Sequence, residues 1–316
     1  MMPKSANKLA GSRSRSLKTA SAARAARANR RSKLKEKSQN SLASPSNTAS
    51  NERYKYRPLR EEVYEIRLLT LLPGPPSSDI RVLLTTTPLT KDNIPKYEAL
   101  SYAWGTAEDQ VAIRVGKKSA SLMVTQNLAD ALVALRLPTE NRCLWIDAIC
   151  VDQENLEERS RQLGRFGDIY QLANRVIVWL GLADETSGLA FSALNDIASR
   201  VTVDWIRAEM LPTSENNADW ADRNSPLRFD EVTSRAIEVL LQRSWFERLW
   251  VQQEIRLANQ SAIVTCGSYF ISWTHFSDAI FCLFFKDKKF FTSDIMPRLE
   301  LAFQMKSDKN NRLSTK

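Results

Sequence analysis

The sequence predicts an α/β protein of three layers, in which helices flank a central, mostly parallel sheet and a disordered basic tail precedes the domain. The segment from Leu144 to Gly181 carries this prediction, because two continuous apolar stretches, "LWIDAICV" and "RVIVWLG", enclose an amphipathic helical stretch. Strand, helix and strand within about forty residues are typical of a βαβ unit with a right-handed crossover. The 43% hydrophobic content of the 316 residues is enough for a sizeable core.

The excess positive charge of the chain lies in its first 50 residues. Twelve of the 45 lysines and arginines and one of the 36 acids fall there, so this segment carries +11 and the remainder −2. It is rich in Ser, Ala and Arg and has no aromatic residue before Tyr54, which is typical of disorder. Three interpretations stay open for "RANRRSKLKEK" and its surroundings: a nuclear address or weak nucleic-acid patch, a mitochondrial transit peptide, and a solvated tail.

The elements before Leu144 follow from alternating hydrophobicity and turn residues. "VYEIRLLTL" and "IRVLLTTTPL" are predicted to form a hairpin across "LPGPPSSD", and "YEALSYAWG" is predicted to be a core strand. "VAIRVGKKSASLMVT" is predicted to be a second hairpin with Gly116 near its turn. "NLADALVALRL" has helical spacing and ends before Pro138.

In the central segment, Asp147 interrupts the first apolar stretch and is predicted to lie within the strand. Asn155 is predicted to cap the following helix, with Glu158 completing an approximate capping box. The apolar face of this helix is predicted to comprise Leu156, Leu163, Phe166, Ile169, Tyr170 and Ala173.

Beyond Gly181 the chain is predicted to be mostly helical. "SGLAFSALNDIASRV" is predicted to be a helix and "EMLPTSENNADWADRNSPL" a long polar loop. A helical segment from Asp230 to Ala258, broken near Ser244, precedes the strand "SAIVTCG" and the helix "SWTHFSDAIFCLFF".

Several kinds of site are excluded or disfavoured. His275 is the only histidine, so a two-histidine metal site is excluded, and no metal site is expected. The four cysteines are scattered without a C-x-x-C pair and are expected to be reduced thiols. No glycine-rich phosphate loop, secretory signal or apolar run of transmembrane length occurs, so neither a resident cofactor nor a membrane is expected.

Asp152 and Gln153 stand at the edge of the predicted sheet where ligands of α/β proteins bind, whereas Asp147 lies within the strand. Asp147 is expected to be buried and to accept hydrogen bonds from a neighbouring loop or to pair with an arginine. Asp152 is expected either to favour the helix N-terminus electrostatically or to orient a ribose or a loop. Trp104 is expected either to line the same pocket or to be a core residue.

Three blocks, "YEALSYAWG", residues 144–181 and "RSWFERLWVQQE", resemble the fungal heterokaryon incompatibility (HET) domain in the order of that family. Two departures occur: Val151 and Asp152 replace the usual Ile-Asn, and Phe166 replaces the usual Met. The resemblance implies a role in non-self recognition and programmed cell death. The tail is placed at 1–55, the HET domain at 56–285 and a C-terminal extension at 286–316.

The HET family is distantly similar to TIR domains, some of which cleave NAD through a glutamate, and this similarity implies a TIR-like layout. Trp250 and Glu254 reproduce the tryptophan-to-glutamate spacing of the TIR block, although its cysteine is missing. The resemblance therefore implies that Glu254 is catalytic and partly exposed, with Trp104, Asp147, Asp152 and Trp250 binding an NAD-type nucleotide. Alternatively, Trp245, Trp250 and Leu257 form a core stripe, and Glu254 points to solvent or pairs with Arg248 or Arg256.

Two functions follow from this resemblance. The first is a cytoplasmic cell-death effector that cleaves NAD or a related nucleotide when it associates with itself or with another incompatibility protein. The alternative is a non-catalytic interaction module that signals by assembly. Nucleic acid is an unlikely partner beyond weak contacts of the tail.

Overall fold

A computed structural model describes residues 52–106, 108–227, 229–248, 251–286, 297–298, 300–302 and 304. The predicted disordered tail up to residue 51 and most of the predicted C-terminal extension lie outside the described residues. Within the described residues, eleven strands form a nine-stranded sheet and a separate two-stranded hairpin.

The strands are β1 Glu65–Leu71, β2 Arg81–Pro88, β3 Glu98–Tyr102, β4 Gln110–Val115, β5 Ala120–Thr125, β6 Arg142–Trp145, β7 Arg175–Trp179, β8 Val201–Asp204, β9 Glu209–Pro212, β10 Ile263–Cys266 and β11 Tyr269–Ser272. The order in the large sheet is β11-β10-β7-β3-β6-β1-β2-β4-β5. Strands β10, β7, β3 and β6 are parallel, whereas β11 and β1 run antiparallel to their neighbours on the two sides. The sheet is thus parallel at its centre and mixed as a whole.

The helices are α1 Gln126–Leu135, α2 Asp147–Cys150, α3 Leu156–Gly164, α4 Phe166–Leu172, α5 Ser187–Arg200, α6 Ala218–Ala221, α7 Glu231–Leu241, α8 Val251–Leu257 and α9 Trp273–Phe285. Short 3-10 turns span Glu61–Val63, Glu215–Asn217 and Ser244–Glu247. Helix α5 packs against α7 and α9, and α4 packs against α8. The prediction of an α/β fold with helices flanking a central sheet is confirmed.

The central strands are buried as the apolar stretches predicted. In β3 and β7 every residue after the first is buried, which is expected of parallel strands covered on both faces. β6 and β7 do not pair directly, because β3 lies between them and pairs with both. The predicted hairpins β1–β2 and β4–β5 are confirmed, with Gly116 at φ +74° in the second turn.

Two predictions in the central segment are wrong. The chain leaves the sheet after Trp145, so Asp147 lies outside the strand and begins α2. The helix after Asn155 is divided at Arg165 into α3 and α4, and Leu156 and Leu163 on α3 are exposed. Asn155 does cap α3, accepting a hydrogen bond from the backbone N–H of Glu158.

Helix α3 buries Glu158 and Gln162 instead of its leucines. Both terminal nitrogens of Arg67, on β1, donate hydrogen bonds to the carboxylate of Glu158. The same carboxylate accepts a hydrogen bond from the backbone N–H of Asp152 at 2.8 Å. Arg67 further donates to the carbonyl oxygen of Cys150 at 3.0 Å. A buried, doubly hydrogen-bonded ion pair therefore fixes α3 on the sheet, where apolar packing was predicted.

The predicted polar loop after α5 is also wrong in part. Its first residues complete the hairpin β8–β9, in which Val203 pairs with Met210, and α6 follows. Met210 and Trp220 are buried, so the segment packs onto the domain. The predicted break near Ser244 between α7 and α8 is confirmed.

Deleting residues 1–50 is expected to leave the thermal melt of the protein unchanged, since that segment has almost nothing apolar to bury. Deleting residues 1–56 is expected to lower the melting temperature, because it also removes the backbone bond from Tyr54 to Ser121 and the bond from the Tyr56 hydroxyl to Ile149. Differential scanning calorimetry of both truncations checks this. A lower melting temperature after the shorter deletion would show that the tail packs on the domain.

Candidate active site

The candidate site lies at one edge of the sheet, where β3 and β6 end. These strands are parallel neighbours, so their carboxyl ends meet at the same edge, as at ligand sites of other α/β proteins. β3 ends at Tyr102 and leads into Ala103, Trp104 and Gly105, while β6 leads into α2. Helix α8 contacts β3 and brings Glu254 to the same place.

Asp147 is a buried carboxylate surrounded by donors, with 7% of its surface exposed. It accepts hydrogen bonds from the indole N–H of Trp104 at 2.9 Å, from the backbone N–H of Ala148 at 2.7 Å and from the hydroxyl of Tyr102. Burial nevertheless raises the pKa of Asp147 above its ordinary value, against the opposing effect of these bonds and of Arg248. The expectation of a buried acid that accepts bonds from a neighbouring loop is confirmed.

Glu254 is a second buried carboxylate, with 4% exposure, and not the partly exposed residue expected. Burial raises its pKa to about 7 despite a hydrogen bond from Ser101, and the negative charge of Asp147 raises it further. Arg248 and Tyr170 act in the opposite direction. The Oε2 atom of Glu254 has no hydrogen-bond partner among the described residues.

A layer of hydrogen bonds holds Glu254 from the side of β3. The indole N–H of Trp245 donates to the Ser101 hydroxyl oxygen at 2.8 Å, which leaves the Ser101 proton for Glu254. The Tyr170 hydroxyl approaches Glu254 and donates to the carbonyl oxygen of Leu100 at 3.1 Å. The Ser101 hydroxyl thus orients one side of the Glu254 carboxylate, and Oε2 is buried without a partner among the described residues.

Side chains from three elements anchor the loop after β3. Arg248 donates to the carbonyl oxygen of Tyr102, and Asn127 at the start of α1 donates to that of Ala103. Gly105 ends the turn at φ +79°, a left-handed conformation that favours glycine. Trp104 is exposed at 38%, and its indole N–H is held by Asp147.

The structure brings together Trp104, Asp147 and Glu254 but not all of the residues predicted for the site. Asp152 lies apart, half-buried before α3, where its side chain accepts the backbone N–H of Glu154 at 3.2 Å. Trp250 lies outside the described residues. The alternative in which Glu254 points to solvent is wrong, because the side chain is buried.

Four contributors to the site were not predicted: Ser101, Tyr102, Tyr170 and Trp245. One signal was present, since two hydroxyl residues stand at the end of the apolar strand "YEALSY", where only apolar side chains would be expected. Arg248 was predicted only as a possible partner of Glu254, whereas its bond to the carbonyl oxygen of Tyr102 depends on the break between α7 and α8.

The arrangement suits acid–base or electrostatic chemistry. Two carboxylates share one positive group, Arg248, and one of them titrates near neutral pH, so the pair can hold or release a proton there. An ionised Glu254 can also stabilise a cationic transition state. Among the described residues, no group of His, Cys, Asp and Glu side chains has the arrangement of a metal site, and no helix has the length and apolarity needed to cross a bilayer.

The chain is similar to known incompatibility proteins. Residues 97–254 match the family model described as heterokaryon incompatibility protein (HET), a span that contains all three assembled residues. Over 237 residues the chain is 30% identical to "Heterokaryon incompatibility protein 6, OR allele" of Neurospora crassa, covering 66% of this chain and 34% of that protein. The chain therefore spans about a third of the length of this relative. No solved structure matches it.

Proposed function

Because the chain belongs to the heterokaryon incompatibility (HET) family, we propose that it is a cell-death effector of fungal non-self recognition that cleaves NAD or a related nucleotide when self-associated. The observation that carries the catalytic part is the buried pair of Asp147 and Glu254, assembled with Trp104 at the carboxyl ends of β3 and β6. The proposed substrate class, NAD or a related nucleotide, is inferred from the remote similarity to TIR domains.

The proposed reaction is hydrolysis of the bond between nicotinamide and ribose. The bond breaks with its electron pair leaving on the nicotinamide nitrogen, and the ribose develops an oxocarbenium-like positive charge. Ionised Glu254 stabilises this charge at close range, and a water molecule then adds to the ribose carbon and releases a proton. The products are nicotinamide, ADP-ribose and a proton.

Burial of the pair supports a requirement for activation. Both carboxylates are less than a tenth exposed, and the Trp104 indole is hydrogen-bonded over Asp147. A dinucleotide reaches Glu254 only if the loop from Ala103 to Gly105 moves. Association with a second copy, or with another incompatibility protein, in the cytoplasm is the proposed trigger.

The same burial favours a second candidate function. A carboxylate as enclosed as Glu254 also fits a purely structural role, in which the domain is a non-catalytic module that signals by assembly. In this case the pair only fixes the loop after β3 against α8.

The test incubates the concentrated full chain with NAD and measures nicotinamide and ADP-ribose by chromatography. We expect nicotinamide release to increase from pH 6 to pH 8, as Glu254 ionises around its pKa of about 7. Glu254→Gln is expected to abolish release and toxicity in a fungal host. Glu247→Gln, at an exposed position nearby, is the matched control and should retain both.

The outcomes separate the two functions. If a folded Glu254→Gln protein still kills the host, Glu254 has no role in the mechanism. If the wild type assembles and kills without releasing nicotinamide, the protein is an assembly module.

A further inference from the structure

Two adjoining cavities lie outside the carboxylate pair, and neither is lined by Asp147 or Glu254. The first, here called the tyrosine cavity, has a volume of about 460 Å³, and its lining includes Tyr54, Tyr56, Met123, Asp152 and Gln153. The second, here called the lysine cavity, has a volume of about 760 Å³, and its lining includes Tyr54, Lys55, Arg57, Leu84 and Lys117. The segment from Arg53 to Lys55 lines both, so the cavities are neighbours. Each volume falls within the usual range for small-molecule sites, roughly 300–1,000 Å³.

The lysine cavity has the charge of an anion site. Six of its lining residues are lysines or arginines, and Glu52 is its one acid. Arg67 forms an ion pair with Glu158, and Arg53 forms an ion pair with Glu154. The side chains of Lys55, Arg57 and Lys117, by contrast, form no hydrogen bond or ion pair within the part of the chain that the structure describes. Three uncompensated cations at one cavity attract phosphate groups.

The tyrosine cavity has groups that recognise a nucleoside. Tyr56 is fixed in place by two contacts. Its hydroxyl donates a hydrogen bond to the carbonyl oxygen of Ile149 at 3.0 Å, and the Arg67 guanidinium lies over its ring, 4.9 Å from the centroid. Tyr54 packs edge-on against it with ring centroids 5.1 Å apart and lines both cavities. Asp152 and Gln153 add a carboxylate and an amide, groups that bond ribose hydroxyls and base edges.

From this combination we infer that the two cavities bind a nucleoside diphosphate or triphosphate. The base stacks on Tyr54, Asp152 accepts the ribose hydroxyls, and the phosphates lie against Lys55 and Lys117 in the lysine cavity. The site is separate from the carboxylate pair and needs no catalysis. It adjoins the pair through α2, because the Gln153 amide donates to the carbonyl oxygen of Asp147 at 2.9 Å.

The test measures binding of ADP to the full chain by isothermal titration calorimetry at 0.15 M salt. Adenosine and inorganic pyrophosphate are the comparison probes, and we expect each to bind at least tenfold more weakly than ADP. Tyr54→Ala and Lys117→Ala are each expected to weaken ADP binding at least tenfold, since each removes one of the two kinds of contact. Tyr54→Phe keeps the ring and is expected to bind nearly as well as the wild type.

Matched controls are Lys91→Ala and Tyr269→Ala, exposed residues outside both cavities, which should leave the affinity unchanged. Thermal melts of all variants identify any that fail to fold, and for these Tyr54→Leu, which also removes the ring, and Lys117→Gln replace the alanine variants. Undetectable ADP binding, or ADP binding that none of the cavity variants weakens, would overturn the inference. Pyrophosphate binding as tight as ADP binding would also overturn it by showing a simple anion patch. Glu254→Gln should bind ADP as the wild type does, so the result does not depend on the proposed hydrolysis.

Discussion

Replacing Arg67 with methionine is expected to lower the free energy of unfolding by about 3–5 kcal/mol, because the change leaves the buried carboxylate of Glu158 without its cation. The side chains of Arg67 and Glu158 are only 2% and 6% exposed. Methionine fills a similar volume but cannot donate to Glu158 or to the carbonyl oxygen of Cys150. Urea denaturation followed by circular dichroism measures the loss.

Arg161→Met, on the same helix α3 as Glu158, is the matched control. Arg161 pairs with Glu61 and Glu157 at the surface, where an ion pair contributes about 0–1 kcal/mol. The double variant Arg67→Met, Glu158→Leu should recover part of the loss, because it removes the unpaired charge as well. Equal effects of Arg67→Met and Arg161→Met would show that the buried pair does not anchor α3.

Replacing Glu254 with glutamine is expected to stabilise the protein by up to about 3 kcal/mol at pH 8 and to have little effect at pH 4. The pKa of Glu254 is about 7 in the folded chain, compared with its ordinary value of 4.5. Between these two pH values the unfolded chain has lost the proton while the folded chain retains it, so the wild type becomes less stable as pH increases towards 7. Each pKa unit corresponds to about 1.4 kcal/mol. Glutamine keeps the shape of the side chain without this cost.

Urea denaturation of wild type and Glu254→Gln at pH 5, 6, 7 and 8 gives the difference in unfolding free energy at each pH. Groups that do not interact with Glu254 titrate alike in both proteins and cancel in this difference, which therefore reports Glu254 together with its coupled neighbour Asp147. Glu247→Gln, whose side chain is 58% exposed, is the control and should differ from wild type by no more than about 0.5 kcal/mol. A difference that does not widen with pH would show that Glu254 does not retain its proton on folding. Stabilisation combined with lost nicotinamide release would identify an acid kept at the expense of stability.

The parts of the fold that were predictable are those set by local pattern. The hairpins β1–β2 and β4–β5 follow from alternation around turn residues, and β3 and β7 follow from continuous apolar runs. Helix α3 was mispredicted because its partner is distant in sequence. Leu156 and Leu163 have the spacing of a core face, yet Arg67, 91 residues before Glu158, turns the opposite face inward. A single sequence does not show that pairing.

The candidate site was predictable where the chain breaks its own pattern. Asp147 interrupts an apolar run, and Glu254 stands in a block that resembles a known family. The position of Asp147 was misjudged because the run continues through Ile149 and Cys150, which are buried in a short helix and not in the strand. Ser101 and Trp245 support Glu254 through tertiary contacts across 144 residues, which no local pattern encodes.

The strand order also determines when a newly synthesised chain can assemble the site. Hairpins β1–β2 and β4–β5 need no later residues, but β3 has no neighbour in the sheet until β6 and β7 have been made, and β7 pairs on its other side with β10. Long-range strand pairing of this kind is slow, and chains leave the ribosome N-terminus first. Glu254 comes between β7 and β10. After Asp147 has been synthesised, about a hundred further residues must therefore be added before Glu254 is present. The carboxylate pair is thus completed only when nearly all of the domain has been translated, and prematurely terminated chains lack it.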